Sequence, residues 1–142
     1  DRLLAVEALL ELRKEMRDWI DIQLVAFPQN GYLRYKNSIK NLDRALKKGV
    51  DVIGGIPHFE RTMNEGSLSI KLLCELAAEK DLLVDMHCDE SDDPMSRHVE
   101  TLAFEAHRLG LEGRVTGSHL TSMHYILLWT CVPVERPHRL FN

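Results

Sequence analysis

The stretch Leu82-Leu-Val-Asp-Met-His-Cys-Asp-Glu90 decides the fold class of this chain. Its first part, Leu82–Met86, predicts a buried strand, and the polar side chains follow where that strand ends. The preceding segment predicts an amphipathic helix that Ser67 caps and that runs to about Lys80. A further helix, opened by Pro94, follows the strand. Such alternation of strand and helix is typical of α/β proteins.

The same alternation continues in both directions from this stretch. Strand patterns begin near residues 22, 51, 82 and 114, and helical patterns cover about 3–17 and 37–48. A (β/α)₈ barrel of about 250 residues divides into units of about 31 residues, which matches this spacing. The spacing therefore predicts consecutive units of a parallel α/β fold, although a doubly wound sheet has similar spacing. No glycine-rich phosphate fingerprint follows a strand, and Gly54-Gly55 inside one predicts close packing.

Composition and charge limit the classes of function. The chain has 142 residues, 44% hydrophobic and 28% charged, which predicts a folded core rather than disorder. Its three cysteines lack CxxC spacing, so we expect reduced thiols and a cytoplasmic protein. A net charge of −4 argues against nucleic acid or an anionic membrane as the main partner. No apolar run approaches the roughly 20 residues of a membrane span.

Chemically active side chains follow the predicted strands. In a barrel the active site lies at the carboxyl ends of the strands, where this chain places His87, Glu90, His119 and Gln29. An imidazole at a strand end is a rigidly held metal ligand, so His87 is the candidate ligand. Glu90 would carry a proton from a metal-bound water to a substrate nitrogen, and His119 would bond the hydroxide or the tetrahedral centre. Gln29, with one donor and one acceptor group, suits an amide-like or pyrimidine edge.

Less specific roles are the alternative for most of these positions. A lone HxxE pattern, outside a barrel, is weak support for a metal site. Cys88 is expected to pack in the core, because the sequence places no base beside it. The pattern leaves His58 open between lining a pocket and packing at a strand end. His98 and His107 are expected to be solvated or packing residues, and His124 and His138 receive no role.

Several stretches, taken together and in order, resemble the bacterial cytosine deaminase family of the metal-dependent amidohydrolase superfamily. The resemblance runs from about residue 1 to His124. It is carried by Val25-Ala-Phe-Pro-Gln29, Gly55-Ile-Pro-His-Phe-Glu60, Val84-Asp-Met-His-Cys-Asp-Glu90, Asp92-Asp-Pro-Met-Ser-Arg-His-Val-Glu-Thr101 and Arg114-Val-Thr-Gly-Ser-His119.

The resemblance implies a fold, a reaction and residue roles. The fold would be an incomplete TIM (β/α)₈ barrel containing barrel strands three to six. The reaction would be hydrolysis of cytosine to uracil and ammonia, with a divalent metal such as iron or zinc. His87 would be the strand-five metal ligand, and Glu90 the proton shuttle between the metal-bound hydroxide and the ring nitrogen. His119 would be the strand-six histidine that assists at hydroxide and substrate, and Gln29 would bond the pyrimidine.

Two features of the family are missing from this sequence. The first-strand His-x-His pair and the strand-eight aspartate, which are metal ligands in the family, have no counterpart here. We therefore expect residues 1–124 to be part of a longer barrel, with an incomplete ligand set and little or no activity alone. Residues 125–142 are expected to be a divergent tail, either a frameshifted or mis-joined gene end or a genuine alternative terminus.

Alternatives to a cytosine deaminase remain open. A sister amidohydrolase would act on another nitrogen heterocycle, such as isocytosine, a triazine or creatinine. A different class is a non-catalytic fragment that only associates, because an open piece of a barrel exposes sheet edges. The parent enzyme is expected to be a homo-oligomer with a small pyrimidine-like substrate, and the fragment is expected to self-associate.

Overall fold

Helices and strands alternate along residues 3–125, the part of the chain that the computed structural model describes. In chain order the elements are α1 (Leu4–Met16), β1 (Val25–Ala26), α2 (Ser38–Lys47), β2 (Val52–Gly55), α3 (Met63–Lys80), β3 (Leu83–Cys88), α4 (His98–Arg108) and β4 (Val115–His119). Short 3₁₀ helices follow β2 at Pro57–Phe59 and β4 at Thr121–Tyr125. Of the predicted tail, residues 126–142 lie outside the described residues.

The four strands form one parallel sheet in the order β1-β2-β3-β4. A doubly wound sheet reverses its strand order at a switch point, whereas a barrel adds each new strand beside the previous one. The sequential order is therefore that of consecutive barrel units, and the predicted fold class is confirmed. Within the described residues, no helix is both long enough and apolar enough to cross a membrane.

One face of the sheet packs against the helices. Ala26, Ile53 and Val84 are 5%, 0% and 1% exposed. They belong to a single apolar cluster with helix residues that include Leu73 of α3 and Leu102 of α4. Burying this face supplies the main stabilisation, since removal of apolar surface from water dominates folding.

The opposite face carries polar side chains. Along β3 the burial alternates, with Val84, Met86 and Cys88 buried and the residues between them only half-buried. Because side chains of a strand alternate between the two faces, Asp85 and His87 point away from the helices. In a barrel that face is the interior side, so Asp85 and His87 are directed towards the barrel axis. His87 is the nearer of the two to the carboxyl end of β3.

Gly54 and Gly55 permit close packing, as predicted. A Cβ on Gly54 would lie 2.5 Å from Cδ2 of Phe27, and one on Gly55 would lie 2.6 Å from Sδ of Met86. These distances are shorter than any ordinary contact, so a side chain at either position would displace its neighbour. The two glycines face opposite sides of β2 and admit a large side chain on each side.

Two predicted helix starts are wrong. Helix α3 begins at Met63, not at Ser67, because Thr62 accepts a hydrogen bond from the Glu65 amide at 3.1 Å and so caps the helix. Helix α4 begins at His98 rather than at Pro94. The cap residue of α4 makes no side-chain hydrogen bond to the helix. The carboxylate of Asp89, which follows β3, accepts the first two amides of the helix instead.

Candidate active site

Three of the four predicted site residues meet at the carboxyl ends of β3 and β4. Nδ1 of His87 lies 3.2 Å from Nε2 of His119, and Nδ1 of His119 lies 3.6 Å from Oε1 of Glu90. One possible ligand atom from each residue lies within 4.8 Å of the others. We call these three residues the His–Glu–His cluster.

The backbone at the end of β4 brings His119 to this cluster. The strand register pairs His119 with Cys88, whose side chain is fully buried on the helix side. The φ angle of His119 is +70°, in the left-handed region, so its side chain leaves the alternation of the strand. Strained backbone of this kind is common at functional sites. The unusual conformation places the imidazole beside His87 instead of in the core.

One ring nitrogen of His87 is held by a contact within the cluster. Glu90 is too far from His119 for a hydrogen bond, with 3.6 Å between Oε1 and Nδ1. Nδ1 of His87 and Nε2 of His119 share one hydrogen, and the tautomers of the two rings decide which nitrogen donates it. This contact does not use Nε2 of His87, so that nitrogen is available to a metal while the other is held by a neighbouring group.

The donor set fits a divalent metal. Imidazole nitrogens and a carboxylate oxygen are the ligands that zinc and iron bind, and catalytic zinc sites take three or more protein ligands. His87 is half-buried, whereas Glu90 and His119 are exposed. The described residues thus form a partial site that could hold a metal ion, with its open side towards the barrel interior.

A buried carboxylate, which the sequence analysis missed, supports Glu90. Asp89 is 0% exposed. Its carboxylate accepts hydrogen bonds from the His98 and Val99 amides, both at 2.9 Å, and from Ser96 Oγ at 2.8 Å. The ring nitrogen Nδ1 of His98 also lies 2.9 Å from Oδ1. We call Asp89, Ser96, His98 and Val99 the Asp89 cluster.

Asp89 caps α4 from outside the helix, because its carboxylate accepts the first two amides of that helix. Burial by itself disfavours the charged carboxylate, but the hydrogen bonds from His98, Val99 and Ser96 outweigh burial and lower the pKa of Asp89 from 3.8 to about 2. A sequence signal does exist, because Arg97 at the cap position of α4 offers no acceptor and the helix needs one from elsewhere.

His98 is a packing residue, one of the two roles predicted for it. Its side chain is 1% exposed and lies against α3. A Cβ on Gly66 would be 2.2 Å from Nε2 of His98, so only glycine fits at that point of α3. Cys88 packs in the core as predicted, and burial raises the pKa of its thiol, which disfavours a nucleophilic thiolate.

Gln29 is not joined to the His–Glu–His cluster. It is exposed on the loop after β1, and among the described residues no hydrogen bond or ion pair links it to the cluster. The loop itself is well held, because the carboxylate of Glu60 accepts hydrogen bonds from the amides of Tyr32, Leu33 and Arg34 at 2.6, 3.0 and 2.8 Å. Sequence reasoning gave Glu60 no role.

His58 lines a pocket rather than packing fully at its strand end. With Glu60 and His98 it borders a cavity of about 240 Å³, and in the part of the chain described here its Nδ1 has no hydrogen-bond partner. Burial lowers the pKa of His58 and the nearby His98 adds to this, while Glu90, Asp89 and a backbone hydrogen bond oppose it. His58 therefore favours the neutral form.

Residues 2–139 match the sequence model of the amidohydrolase family, so the chain belongs to that family. It is 39% identical over 116 residues to the N-isopropylammelide isopropyl amidohydrolase of Pseudomonas sp. strain ADP, covering 81% of this chain and 28% of that protein.

The structure is similar to the 5-methylcytosine deaminase of Klebsiella pneumoniae. With phosphonocytosine bound, that protein gives a TM-score of 0.83 at 48% identity, covering 85% of this chain and 30% of that chain. With 5-fluorocytosine bound it gives a TM-score of 0.83 at 47% identity. The chain thus spans about three tenths of the length of the relatives it matches. The predicted resemblance and the partial-barrel fold are confirmed.

Proposed function

We propose that this chain supplies part of the active site of a metal-dependent amidohydrolase that deaminates cytosine or a cytosine substituted at C5. The observation that carries the proposal is the His–Glu–His cluster, whose ligand atoms lie within 4.8 Å at the ends of two adjacent parallel strands. The similarity to a 5-methylcytosine deaminase supports a pyrimidine substrate. It also makes 5-methylcytosine a candidate substrate beside cytosine.

In this proposal His87 is the metal ligand of the cluster. A bound divalent metal supplies a Lewis acid that makes water a nucleophile near neutral pH. His87 is suited to the role because its Nδ1 already has a partner in His119 and its Nε2 does not compete for that contact. Glu90 and His119 lie close enough to His87 to act on water and substrate bound beside it.

Glu90 is the proton shuttle. Its carboxylate is exposed and follows the buried Asp89, so the loop is fixed while the acid itself reaches into the open site. A carboxylate placed in this way takes a proton from water and delivers it to a ring nitrogen. His119, beside it, donates a hydrogen bond to the oxygen or tetrahedral centre that develops negative charge. Gln29 contributes hydrogen bonds to the pyrimidine edge from the loop after β1.

Metal binding by the chain itself tests the ligand assignment. Zn²⁺ or Co²⁺ is titrated against the wild-type chain in competition with a chromophoric chelator. We expect His87→Ala to weaken binding by about tenfold or more, since removing one of few ligands removes a large share of the binding energy. The control is His107→Ala, because His107 is exposed on α4 and faces Glu112 at 2.9 Å. Equal affinities of the two variants would contradict the assignment.

A chimera tests the reaction. The matching segment of the Klebsiella pneumoniae 5-methylcytosine deaminase is replaced by this chain, and ammonia release is measured with cytosine and with 5-methylcytosine. In the chimera Glu90→Gln should lower kcat by about 10²- to 10⁴-fold, the usual contribution of general acid–base catalysis. Glu100→Gln, on the exposed part of α4, is the control. An active chimera that Glu90→Gln leaves unchanged would refute the proposed shuttle.

Without the remaining strands we expect the chain to release little or no ammonia from cytosine. The described residues supply at most three metal ligands, and no complete barrel encloses the substrate. Metal-dependent ammonia release by the isolated chain at an appreciable turnover would overturn this expectation.

A second candidate is an amidohydrolase acting on another nitrogen heterocycle. It is favoured by the 39% identity to the N-isopropylammelide isopropyl amidohydrolase. A panel of cytosine, isocytosine, creatinine and a triazine, offered to the chimera, separates the two candidates by their kcat/KM values. Self-association of the chain and a homo-oligomeric parent stay predictions, which size-exclusion chromatography would test.

A further inference from the structure

Phe27 reaches across a strand to contact His87. The residue follows β1, whereas His87 belongs to β3, and β2 lies between these two strands. The two ring centroids are nevertheless 4.5 Å apart, with an angle of 55° between the planes. This separation is within the range of favourable contacts between aromatic rings.

Gly54 makes the contact possible. It lies on β2, the strand between β1 and β3, and a Cβ at this position would be 2.5 Å from Cδ2 of Phe27. The side chain of Phe27 therefore lies over the backbone of β2, in the space that the side chain of any larger residue at position 54 would occupy. Gly54 therefore allows the residue that follows β1 to contact a residue of β3.

The contact bears on the orientation of the His87 ring. His87 lies between two aromatic neighbours, Phe27 on one side and His119 on the other, whose ring centroid is 4.6 Å away at 73°. The hydrogen bond between Nδ1 of His87 and Nε2 of His119 requires one particular ring plane. If the His87 ring turned about its χ2 bond, that hydrogen bond would be lost.

We propose that Phe27 is a positioning residue for His87, and that Gly54 is needed for Phe27 to reach it. The proposal rests on the proposed role of His87 as a metal ligand and deepens it. Phe27 holds the imidazole plane, and that plane maintains the contact of Nδ1 with His119. Nε2 of His87, on the other side of the ring, is then the nitrogen available to the metal.

The test measures the His87 ring in the metal-free chain and then its affinity for Zn²⁺. Proton–nitrogen NMR spectra of the histidine rings report which nitrogen of His87 carries the hydrogen. We expect one tautomer in the wild type and a mixture in Phe27→Leu and Gly54→Ala. Zn²⁺ should bind about tenfold more weakly to both variants, a loss typical of residues that orient metal ligands. Phe27→Tyr retains the ring and should restore wild-type behaviour.

Gly117→Ala is the matched control. It also adds a methyl group to a strand glycine, but that methyl meets nothing closer than 3.4 Å, to Cδ2 of Leu120. It should leave the tautomer of His87 and the Zn²⁺ affinity unchanged. If folded Phe27→Leu keeps both wild-type properties, Phe27 only fills space and the proposal is wrong. If the wild type binds no Zn²⁺, the proposed metal site fails, while the tautomers in the metal-free variants still decide the role of Phe27.

Discussion

Two buried carboxylates hold the loops that carry the candidate site residues, and they do so in different ways. Glu60, 8% exposed, accepts hydrogen bonds from three successive backbone amides in the loop that carries Gln29. Asp89, 0% exposed, accepts two backbone amides and also bonds the side chains of Ser96 and His98. Each of them is a residue that sequence reasoning left without a role.

The two loops depend on their own side chains to different extents. Every non-proline residue has an amide, so the loop bound by Glu60 is held whatever side chains occupy its three donor positions. The loop bound by Asp89 requires a hydroxyl at Ser96 and an imidazole at His98. The loop that carries the proposed proton shuttle, Glu90, therefore tolerates fewer substitutions than the loop that carries Gln29.

The largest effect is expected for Asp89→Ala. It leaves the amides of His98 and Val99, the Ser96 hydroxyl and the His98 ring without their acceptor. We expect the free energy of unfolding to fall by about 4 kcal/mol, as when one partner of a buried ionic group is removed. Chemical denaturation of the isolated chain would measure the loss, and a change below about 1 kcal/mol would show that water replaces the carboxylate.

Acid should weaken the Asp89 loop in a defined pH range. Because the pKa of Asp89 is about 2 in the folded chain against 3.8 ordinarily, its stabilisation is fully present above about pH 4 and is lost as the pH falls towards 2. The difference corresponds to about 2 kcal/mol. Denaturation of wild type and Asp89→Asn at several pH values between 2 and 5 should give a steeper fall for the wild type; parallel curves would contradict the lowered pKa.

A smaller and more local effect is expected for Glu60→Gln. The amide group of glutamine offers one acceptor oxygen and places a donor against one of the three amides, which then lacks a partner. We expect a loss of about 2 kcal/mol, because an unsatisfied buried donor costs about 1–3 kcal/mol. Hydrogen exchange at Tyr32, Leu33 and Arg34 should accelerate while exchange in α4 stays unchanged. Faster exchange in both places would mean that the two loops are coupled.

The smallest changes in the free energy of unfolding are expected when one donor residue of each loop is replaced by alanine. Ser96 bonds Asp89 through its side chain, whereas Arg34 bonds Glu60 through its backbone amide. Ser96→Ala should therefore cost about 1 kcal/mol, and Arg34→Ala should stay within about 0.5 kcal/mol. Thermal melts of the two variants, side by side, provide the measurement. Equal losses would remove the distinction between the loops.

Sequence reasoning succeeded where the signal is local. Apolar runs at regular spacing predicted all four strands, because strands of a parallel sheet carry apolar side chains on the face that packs against the helices. The residues at the ends of those strands, His87 and His119, were predicted to share a site because parallel neighbours end at the same edge. Glu90 was added from its distance to His87 along the loop.

The two helix starts were predicted wrongly for different reasons. Helix α4 takes its acceptor from Asp89, nine residues before its first residue, and the only local signal is that Arg97 at the cap position offers no acceptor. Helix α3 illustrates the opposite error, since its true cap, Thr62, is local but stands five residues before the serine that was chosen.

The order of the βα units and the side chains at the strand ends can be read from the amino-acid sequence, because both follow from short-range patterns of apolar and polar residues. The carboxylates that hold the loops, and the contact of Phe27 with His87 over Gly54, become visible only in the folded chain. Those contacts join residues on different strands and loops, so they depend on the register and on the φ angles at strand ends such as that of His119. No single stretch of sequence contains that information, because it arises when separate elements pack together.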